Sequence, residues 1–486
     1  MIEVTPIINN EKVTSERNFQ TINPATLEPV ATVVSATEEQ VKDAVDHSEV
    51  AFGDWSRLNI TKRGEFLKTV ADLIDQQRDE IATLITKEQG KPYSEAYNEV
   101  NNGYKVLYYY YGESRRTTST VVKSEQDNVF SATVRRPLGI VFIITPFNSP
   151  FSIPFWNIAP ALLHGNTVIF KPSSVTSAVG AKIAELFQKA GAPPGVMNTL
   201  HGNAEMISDT ILNDYRCKAL AFTGGSEIGE KLSTLNGKYR RRQILELGGK
   251  DPAIVLSDAD MELALSSLLF ASFSNAGQRC TAGSRILIER KIYDEFTEKF
   301  TKMARGIKMG NGMDKDTRMG PVASIKQYRK VTSFVQDGIN RGLDIRLGRK
   351  EYSEKPEKGY FIEPTIFSEV NREDKLAQEE VFGPVASLIS VDDLDDAISV
   401  ANNTEYGLVS AIYTKDIQAA FRSIDEIDAG VTFVNQGPTG IEYSLPYQGT
   451  KKSGYGDELG LSSINNYTQA KSIYIDYSYS KRPFFW

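Results

Sequence analysis

Cysteine and histidine are both scarce: Cys217 and Cys280, with His47, His164 and His201, are the only ones in 486 residues. Two thiols cannot build a disulfide framework, so a reducing cytoplasm is the natural compartment. No two histidines have metal-ligand spacing such as H-x-x-x-H, and C-x-x-C is absent, so no metal site is expected. No serine or cysteine sits with a histidine in a recognisable catalytic setting. Long apolar runs are missing too. The longest, Leu138 to Ile144, is far short of the ~18 residues a membrane-spanning helix needs, and the stretch from Met1 to Asn10 lacks the basic-then-apolar layout of a signal peptide. Basic excess is also absent: Lys+Arg 55 against Asp+Glu 62 gives −7, which argues against a nucleic-acid protein. There is no internal repeat and no low-complexity tract.

What is present is a globular composition, 41% hydrophobic and 24% charged, of a length that suggests about three domain-sized units. After Thr61, read as an N-cap, Phe66, Val70, Leu73, Ile74, Ile81, Leu84 and Ile85 fall at helical spacing as far as Gly90 and Pro92. A second helix carries Tyr97, Val100, Tyr104, Leu107 and Tyr111, and the tyrosine run 108–111 reads as packing. From residue 140 the pattern changes to short, wholly apolar runs: 140–144, 167–170, 196–200 and 219–222. Such strands, separated by a helix that stops at Gly191, imply a parallel sheet covered on both faces, with a nucleotide site at its carboxyl edge. A second α/β region follows. It opens with the helix Met261 to Phe273, which is apolar nearly all round and should therefore be buried, then a strand at 285–289 and a helix bearing Ile292, Phe296, Phe300 and Met303. Strand and helix signals alternate again over 360–435. Residues 117–137 read as a hairpin around Asp127-Asn128. Near the end, Ile473, Ile475, Tyr477 and Tyr479 form one apolar face of a strand that needs another strand or subunit to cover it.

Several segments can carry chemistry. Cys280 lies in a turn-rich, small-residue stretch, 275–284, between the buried helix and a strand. Flanking glycines allow close backbone approach, and the adjacent Arg279 favours a thiolate. Cys217 has no such setting and reads as inert. Glu246 ends an apolar strand before Gly248-Gly249, a pair that suggests a chain reversal; a carboxylate partly removed from water there has a raised pKa and can act as a general base. The turn 222–229 follows a strand and opens a helix, which suits a phosphate, though it is not G-x-G-x-x-G. Lys171-Pro-Ser-Ser174 ends another strand. Asn148, between Pro146 and Pro150, holds an amide that can donate to an oxyanion or stabilise a turn. Each has a plainer structural reading; jointly they supply a nucleophile, a base, an amide donor and a dinucleotide-like edge.

At this point the chain resembles the aldehyde dehydrogenase superfamily over almost its whole length. The likeness is carried, in family order, by Pro146-Phe-Asn-Ser-Pro150, Lys171-Pro-Ser-Ser174, Phe222-Thr-Gly-Gly-Ser-Glu-Ile-Gly229, Leu245-Glu-Leu-Gly-Gly-Lys250, Gly277-Gln-Arg-Cys280, Glu379-Glu-Val-Phe-Gly-Pro384 and Ser453-Gly-Tyr-Gly-Asp-Glu-Leu-Gly460. The resemblance implies a Rossmann-like parallel-sheet NAD(P)-binding domain (1–116 and 138–250), a second α/β catalytic domain (251–440) and a small β oligomerisation element (117–137 and 465–486), assembled as a homodimer or homotetramer. It also implies NAD(P)-dependent oxidation of an aldehyde to the carboxylic acid without metal, through a cysteine thiohemiacetal and thioester. Cys280 would be the nucleophile, Glu246 the base, and Asn148 with the Cys280 backbone N–H the oxyanion hole. Cofactor contacts would come from Thr145, Pro146 and Phe147, from Lys171, Ser173 and Ser174 at the ribose, and from Gly202. The turn Thr223, Gly224, Gly225, Ser226 and Gly229 would follow the pyrophosphate, with Leu247, Gly248, Glu380 and Phe382 further along the cleft.

Three departures from the family pattern stand out. Phe147 replaces a common tryptophan, Gly225 replaces a common serine that Ser226 is placed to substitute, and Ser174 replaces the glutamate of NAD-preferring relatives. Serine does not repel a 2′-phosphate, so NADP is expected to be tolerated beside NAD. A CoA-acylating relative and a non-catalytic protein keeping the fold are the alternatives; Glu246 favours hydrolysis over thiol transfer, and the presence of Cys280, Glu246 and Asn148 argues against an inactive chain. Phe151, Phe155, Trp156, Phe273, Arg279, Thr281, Gln436 and Tyr447 are the candidate pocket residues. Their aromatics favour an apolar or aromatic aldehyde, whereas Arg279 either meets a semialdehyde carboxylate or makes a local ion pair.

Overall fold

Strands flanked on both faces by helices have no solvent side, so each residue must be apolar. Ile140–Ile144 meets that demand, buried along its whole length. At roughly 1.5–3 kcal/mol for each large apolar side chain removed from water, such strands dominate the driving force for the sheet. In this computed structural model, which describes residues 1–116, 119–348, 351–354, 356–438 and 440–479, Ile140–Ile144 is the centre of an eight-stranded sheet. Thr167–Lys171 and Met197–Thr199 continue parallel on one side; Cys217–Thr223 and Arg242–Glu246 continue parallel on the other. The chain therefore leaves its central strand in one direction and later returns to build in the other. That reversal leaves a crevice beyond the carboxyl ends of Ile140–Ile144 and Cys217–Thr223, where open α/β sheets bind ligands. Antiparallel edges close the sheet, with Ile7–Ile8 and Glu11–Lys12 at one end and Gly454–Tyr455 at the other.

The second sheet has seven strands. Thr365–Ser368, Val385–Val391, Arg285–Glu289, Pro252–Val255, Val409–Tyr413 and Val431–Val434 run parallel, and Asp344–Leu347 is an antiparallel edge. Its core joins Ile254, Leu287, Phe296, Phe300, Phe367 and Leu388. A third, three-stranded sheet pairs Thr468–Asp476, Val129–Pro137 and Thr120–Lys123 antiparallel, with Asn128 left-handed (φ 60°) in the hairpin turn. The ends of the expected hairpin and terminal segments, residues 117–118 and 480–486, lie outside the described residues. Among the described residues no helix is long and apolar enough to cross a membrane.

Local details depart from the sequence reading. The first helix is two, Ile60–Gln76 and Arg78–Gln89, broken where Gln77 leaves helical geometry (φ −120°, ψ 20°). Its cap is Asn59, whose side chain accepts from the Thr61 N–H, not Thr61. The helix Met261–Phe273 is not buried all round: Leu263 and Phe270 are 40% and 51% exposed. One face packs on the second sheet, and Leu269 and Phe270 instead line a surface cavity of about 480 Å³ with Met303 and Ile307. The strand Thr468–Asp476 ends before Tyr477 and Tyr479 because Asp476 accepts from the N–H and hydroxyl of Ser478, an Asx-type turn. Both of its faces are open, Tyr474 on one and Ile475 on the other.

Candidate active site

The crevice at the reversal point is a cleft of about 180 Å³ lined by Pro146, Phe147, Asn148, Thr223, Gly224, Gly225, Glu246, Leu247, Gly248, Cys280, Glu380 and Phe382. Three strand ends of the first sheet feed it: Thr145 onward from Ile144, Gly224 onward from Thr223, and Leu247 onward from Glu246. The second sheet supplies Cys280 and Glu380. Twelve residues singled out in the sequence thus meet in one place. Lys171, Ser173, Ser174 and Gly202 stand at or just beyond the carboxyl ends of the neighbouring strands Thr167–Lys171 and Met197–Thr199, outside the cleft lining. Thr145 is buried with its hydroxyl unpartnered among the described residues, Gly229 packs under Leu247, and the Ser226 side chain lies near the Tyr406 hydroxyl.

Cys280 is presented by an unusual loop. Asn275, Ala276 and Gly277 are all left-handed (φ 51°, 52° and 66°), a conformation that costs a non-glycine residue about 1–3 kcal/mol. Long-range bonds hold it: Gln89 Nε2 donates to Asn275 Oδ1 (2.9 Å), Asn275 Nδ2 to the Asn148 carbonyl (2.9 Å), and the Ala323 N–H to Gln278 Oε1 (2.9 Å). At Gly277 a side chain would meet the Gly383 carbonyl oxygen at 2.1 Å. Cys280 itself keeps part of its surface open to the cleft, while dry surroundings push its thiol up to about 12; the carboxyls of Asp251, Glu246 and Glu380 act in the same direction and the Tyr447 hydroxyl, 3.5 Å from Sγ, opposes them. Arg279 does not play the part its adjacency suggested. Its guanidinium donates to Ser274 Oγ (3.2 Å) and lies 5.9 Å from the Phe270 ring centroid. Cys217 is fully buried, and burial raises its thiol to about 11.

Glu246 is 3% exposed, with neither carboxylate oxygen partnered among the described residues. Burial raises its pKa well above the usual carboxylate value, helped by the nearby charges of Glu458 and Asp457. Gly248-Gly249 makes no reversal: neither glycine is left-handed, and the chain runs on into Pro252–Val255 of the second sheet. The pair permits close approach instead, since a Cβ at Gly249 would lie 2.8 Å from the Cys280 carbonyl oxygen and one at Gly248 2.9 Å from the Glu380 carboxylate.

Asn148 is fixed through its backbone. Its carbonyl accepts from Lys91 Nζ (2.7 Å) as well as from Asn275. Lys91 is paired at 2.6 Å with Glu99, both buried, and Glu99 also accepts from the N–H groups of Phe151 and Ser152. One buried ion pair therefore clamps the whole turn 148–152. Sequence reasoning missed this pair, which no local motif marks, and missed Ile153, Gln327 and Lys330 in the cleft lining. Gln327 is held by donating to the Phe382 carbonyl (2.6 Å). Of the other pocket candidates, Trp156 and Tyr447 pack edge-to-face at 5.5 Å beside Cys280. Phe151 and Phe155 are core residues, Gln436 is exposed, and Phe273, outside the cleft lining, packs at a tilt on Phe300.

A thiol, a carboxyl and a carboxamide converging on one cleft is the set that acyl chemistry through sulfur requires. The same cleft suits a dinucleotide. The helix Ser226–Gly237 opens on Gly225 with no side-chain cap, leaving its first N–H groups for an anion. A Cβ at Gly225 would meet nothing within 4 Å, so there is room beside it. Phe147 and Phe382 stand edge-to-face at 5.8 Å as apolar walls.

The sequence profile of the aldehyde dehydrogenase family matches residues 11–473. Over 473 residues the chain is 36% identical to alpha-ketoglutaric semialdehyde dehydrogenase of Bacillus subtilis (strain 168), covering 96% of this chain and 97% of that protein. Over 480 residues it is 35% identical to aldehyde dehydrogenase (NAD(P)+) 1 of Saccharomyces cerevisiae, covering 97% and 95%. A crystal structure of betaine aldehyde dehydrogenase from Staphylococcus aureus in complex with NAD+ superposes with a TM-score of 0.95 at 32% identity, over 99% of this chain and 96% of that one.

Proposed function

The chain belongs to the aldehyde dehydrogenase family, and we propose that it oxidises an aldehyde to the carboxylic acid with NAD or NADP, using Cys280 as nucleophile and Glu246 as base. The observation that carries this reading is the meeting of Cys280, Glu246 and Asn148 on one cleft at the reversal point of the sheet. The Cys280 thiolate bonds to the carbonyl carbon, and the C=O π pair moves onto oxygen. The Asn148 amide and the Cys280 backbone N–H receive that charge; a preorganised donor of this kind contributes about 2.7–4 kcal/mol to lowering the barrier. NAD or NADP, when bound, supplies the hydride acceptor that turning an aldehyde into an acid demands. Loss of hydride from carbon leaves the acyl group on sulfur as a thioester. Glu246 then takes a proton from water, the water oxygen bonds to the acyl carbon, the C–S bond breaks, and Cys280 returns as thiolate.

The cofactor would run from Lys171, Ser173, Ser174 and Gly202 at its adenosine end, past Thr223, Gly224, Gly225, Ser226 and Gly229 at the pyrophosphate. Thr145, Pro146, Phe147, Leu247, Gly248, Glu380 and Phe382 would flank the nicotinamide. Burial lowers the Lys171 ammonium to about 8, so it stays largely cationic at neutral pH and suits a ribose hydroxyl or phosphate. The exposed Ser174 leaves room for a 2′-phosphate. We read 1–116 with 138–250 as the cofactor domain, 251–440 as the catalytic domain, and 117–137 with 465–486 as an oligomerisation element. Val121, Val122, Phe130, Tyr474 and Ile475 are exposed on that element, and a second copy of the chain is the natural cover, giving a homodimer or homotetramer. A nucleophilic thiol must stay reduced, which favours the cytoplasm.

The experiment is product identification. Carboxylic acid and reduced cofactor forming in equal amounts without CoA support the reading. An absolute requirement for CoA, with a thioester product, refutes the hydrolytic role of Glu246.

A further inference from the structure

Tyr447 is 3% exposed, and among the described residues its hydroxyl has one hydrogen-bond partner, the sulfur of Cys280 at 3.5 Å. Buried phenols ordinarily end on a strong acceptor such as a carbonyl or carboxylate, and a neutral thiol is a poor one. The placement is rigid. The Tyr447 N–H donates to the Glu458 carbonyl and its carbonyl accepts from the Glu458 N–H, both at 2.8 Å, while the ring packs edge-to-face on Trp156. A phenylalanine would fill the same space without burying a weakly satisfied hydroxyl, so the hydroxyl needs a role other than packing.

The charges around the sulfur suggest one. Glu246 approaches from the end of Arg242–Glu246, Asp251 from the link to the second sheet, and Glu380 from beyond Gly249. All three are carboxyls. Arg279, on the cysteine's own loop, is turned to Ser274 and Phe270. Lys330 lines the same cleft beside Glu380, and Glu458 directs its carboxylate to Asn157 and Thr223. Among the described residues the one side-chain donor in contact with the sulfur is a neutral phenol, which stabilises an anion without bringing a counter-charge.

We propose that the Tyr447 O–H is a hydrogen-bond donor to the Cys280 thiolate that sets the pH at which the nucleophile forms. The proposal rests on Cys280 being the nucleophile, and the test separates the two. Iodoacetamide alkylation of the full-length protein is followed by intact mass over a pH series, for the wild type, Tyr447→Phe and Tyr447→Met. The two variants fill the space but cannot donate. A hydrogen bond to an ion corresponds to about one to two pH units, so both variants are expected to titrate that much higher and, at about pH 8, to alkylate roughly 10- to 100-fold more slowly. Thermal melting close to wild type in either variant excludes a merely structural effect. An unshifted or acid-shifted profile in a folded variant overturns the proposal. If, in the wild type, stoichiometric alkylation at Cys280 leaves dehydrogenase turnover intact, the nucleophile assignment falls instead, whatever the variants do.

Discussion

Replacing Glu246 by glutamine changes one atom, yet it should move catalysis and stability in opposite directions. The carboxyl is buried and unpartnered among the described residues, and its pKa is raised from an ordinary value of 4.5 by burial first and then by Glu458 and Asp457. The folded protein therefore holds this proton at pH values where the unfolded chain has released it. Above about pH 4.5 the folded state binds more protons than the unfolded state, so stability falls with rising pH by about 1.4 kcal/mol per unit until the folded-state pKa is passed. Glutamine has no proton to hold. Relative to wild type, the variant should gain about 1.4 kcal/mol for each pH unit across that window, a difference readable by urea unfolding at about pH 5, 6 and 7. Catalytically the loss of a general base costs about 10²–10⁴ in rate, or about 3–5 kcal/mol of barrier. Deacylation alone should slow, so a single acyl adduct on Cys280 should accumulate and be visible by intact mass. Unchanged steady-state rates with no adduct would remove Glu246 from the mechanism. A pH-independent stability difference would mean that the carboxyl is not held protonated by its burial.

Cys280→Ala should abolish turnover while fluorescence titration of NAD binding stays within a few-fold of wild type; substantial residual dehydrogenase activity would refute the nucleophile. Ser174→Glu should lower kcat/KM for NADP by about five- to thirty-fold, on the order of one to two unfavourable charge contacts in water, and leave NAD nearly untouched; equal effects on both cofactors would place the ribose elsewhere. Lys91→Met leaves Glu99 buried without its counter-charge at a cost of roughly 3–5 kcal/mol and removes one of the two donors to the Asn148 carbonyl, so both melting temperature and kcat should drop. A fall in melting temperature with normal kcat would show that the clamp does not position Asn148.

The sequence made the framework legible because buried parallel strands are apolar without interruption. The runs at 140–144, 167–170 and 219–222 correspond to Ile140–Ile144, Thr167–Lys171 and Cys217–Thr223. The loops at their carboxyl ends were readable for the same reason, since each follows a recognisable strand. Three kinds of feature were not readable. Adjacent residues can diverge, as Arg279 does from Cys280. Average composition hides local exposure, as at Phe270 in a helix apolar nearly all round. Long-range pairing leaves no local mark: Lys91 and Glu99 reach the turn at 148 from a separate helical region, and residues 441–464, assigned to no unit in the sequence, return through Gly454–Tyr455 to the edge of the first sheet. That return carries Glu458, with a pKa of about 7 from burial, close enough to act on Glu246, and Tyr447 against Cys280.

The same long-range contacts explain why a strained loop is retained at the centre of the molecule. Asn275 and Ala276 hold left-handed backbone that side chains disfavour, and within the loop the bonds that offset it join only Asn275 and Gln278 among those described. Further compensation comes from Gln89, Ala323 and the Asn148 carbonyl, which belong to three different segments. A relaxed loop at this helix-to-strand junction would not need those anchors, but it would also be free to move relative to Asn148 and Glu246. Because Asn275 donates to the Asn148 carbonyl and Gly249 lies against the Cys280 carbonyl, thiol, amide and carboxyl are tied to one another through backbone and not through their reacting atoms. Those atoms stay unpartnered or weakly partnered among the described residues: both oxygens of Glu246, and a sulfur touched by a single phenol. Fixed main chain with unsatisfied functional ends is the arrangement in which polar groups incur their desolvation cost during folding, so that less reorganisation remains when charge develops on a substrate.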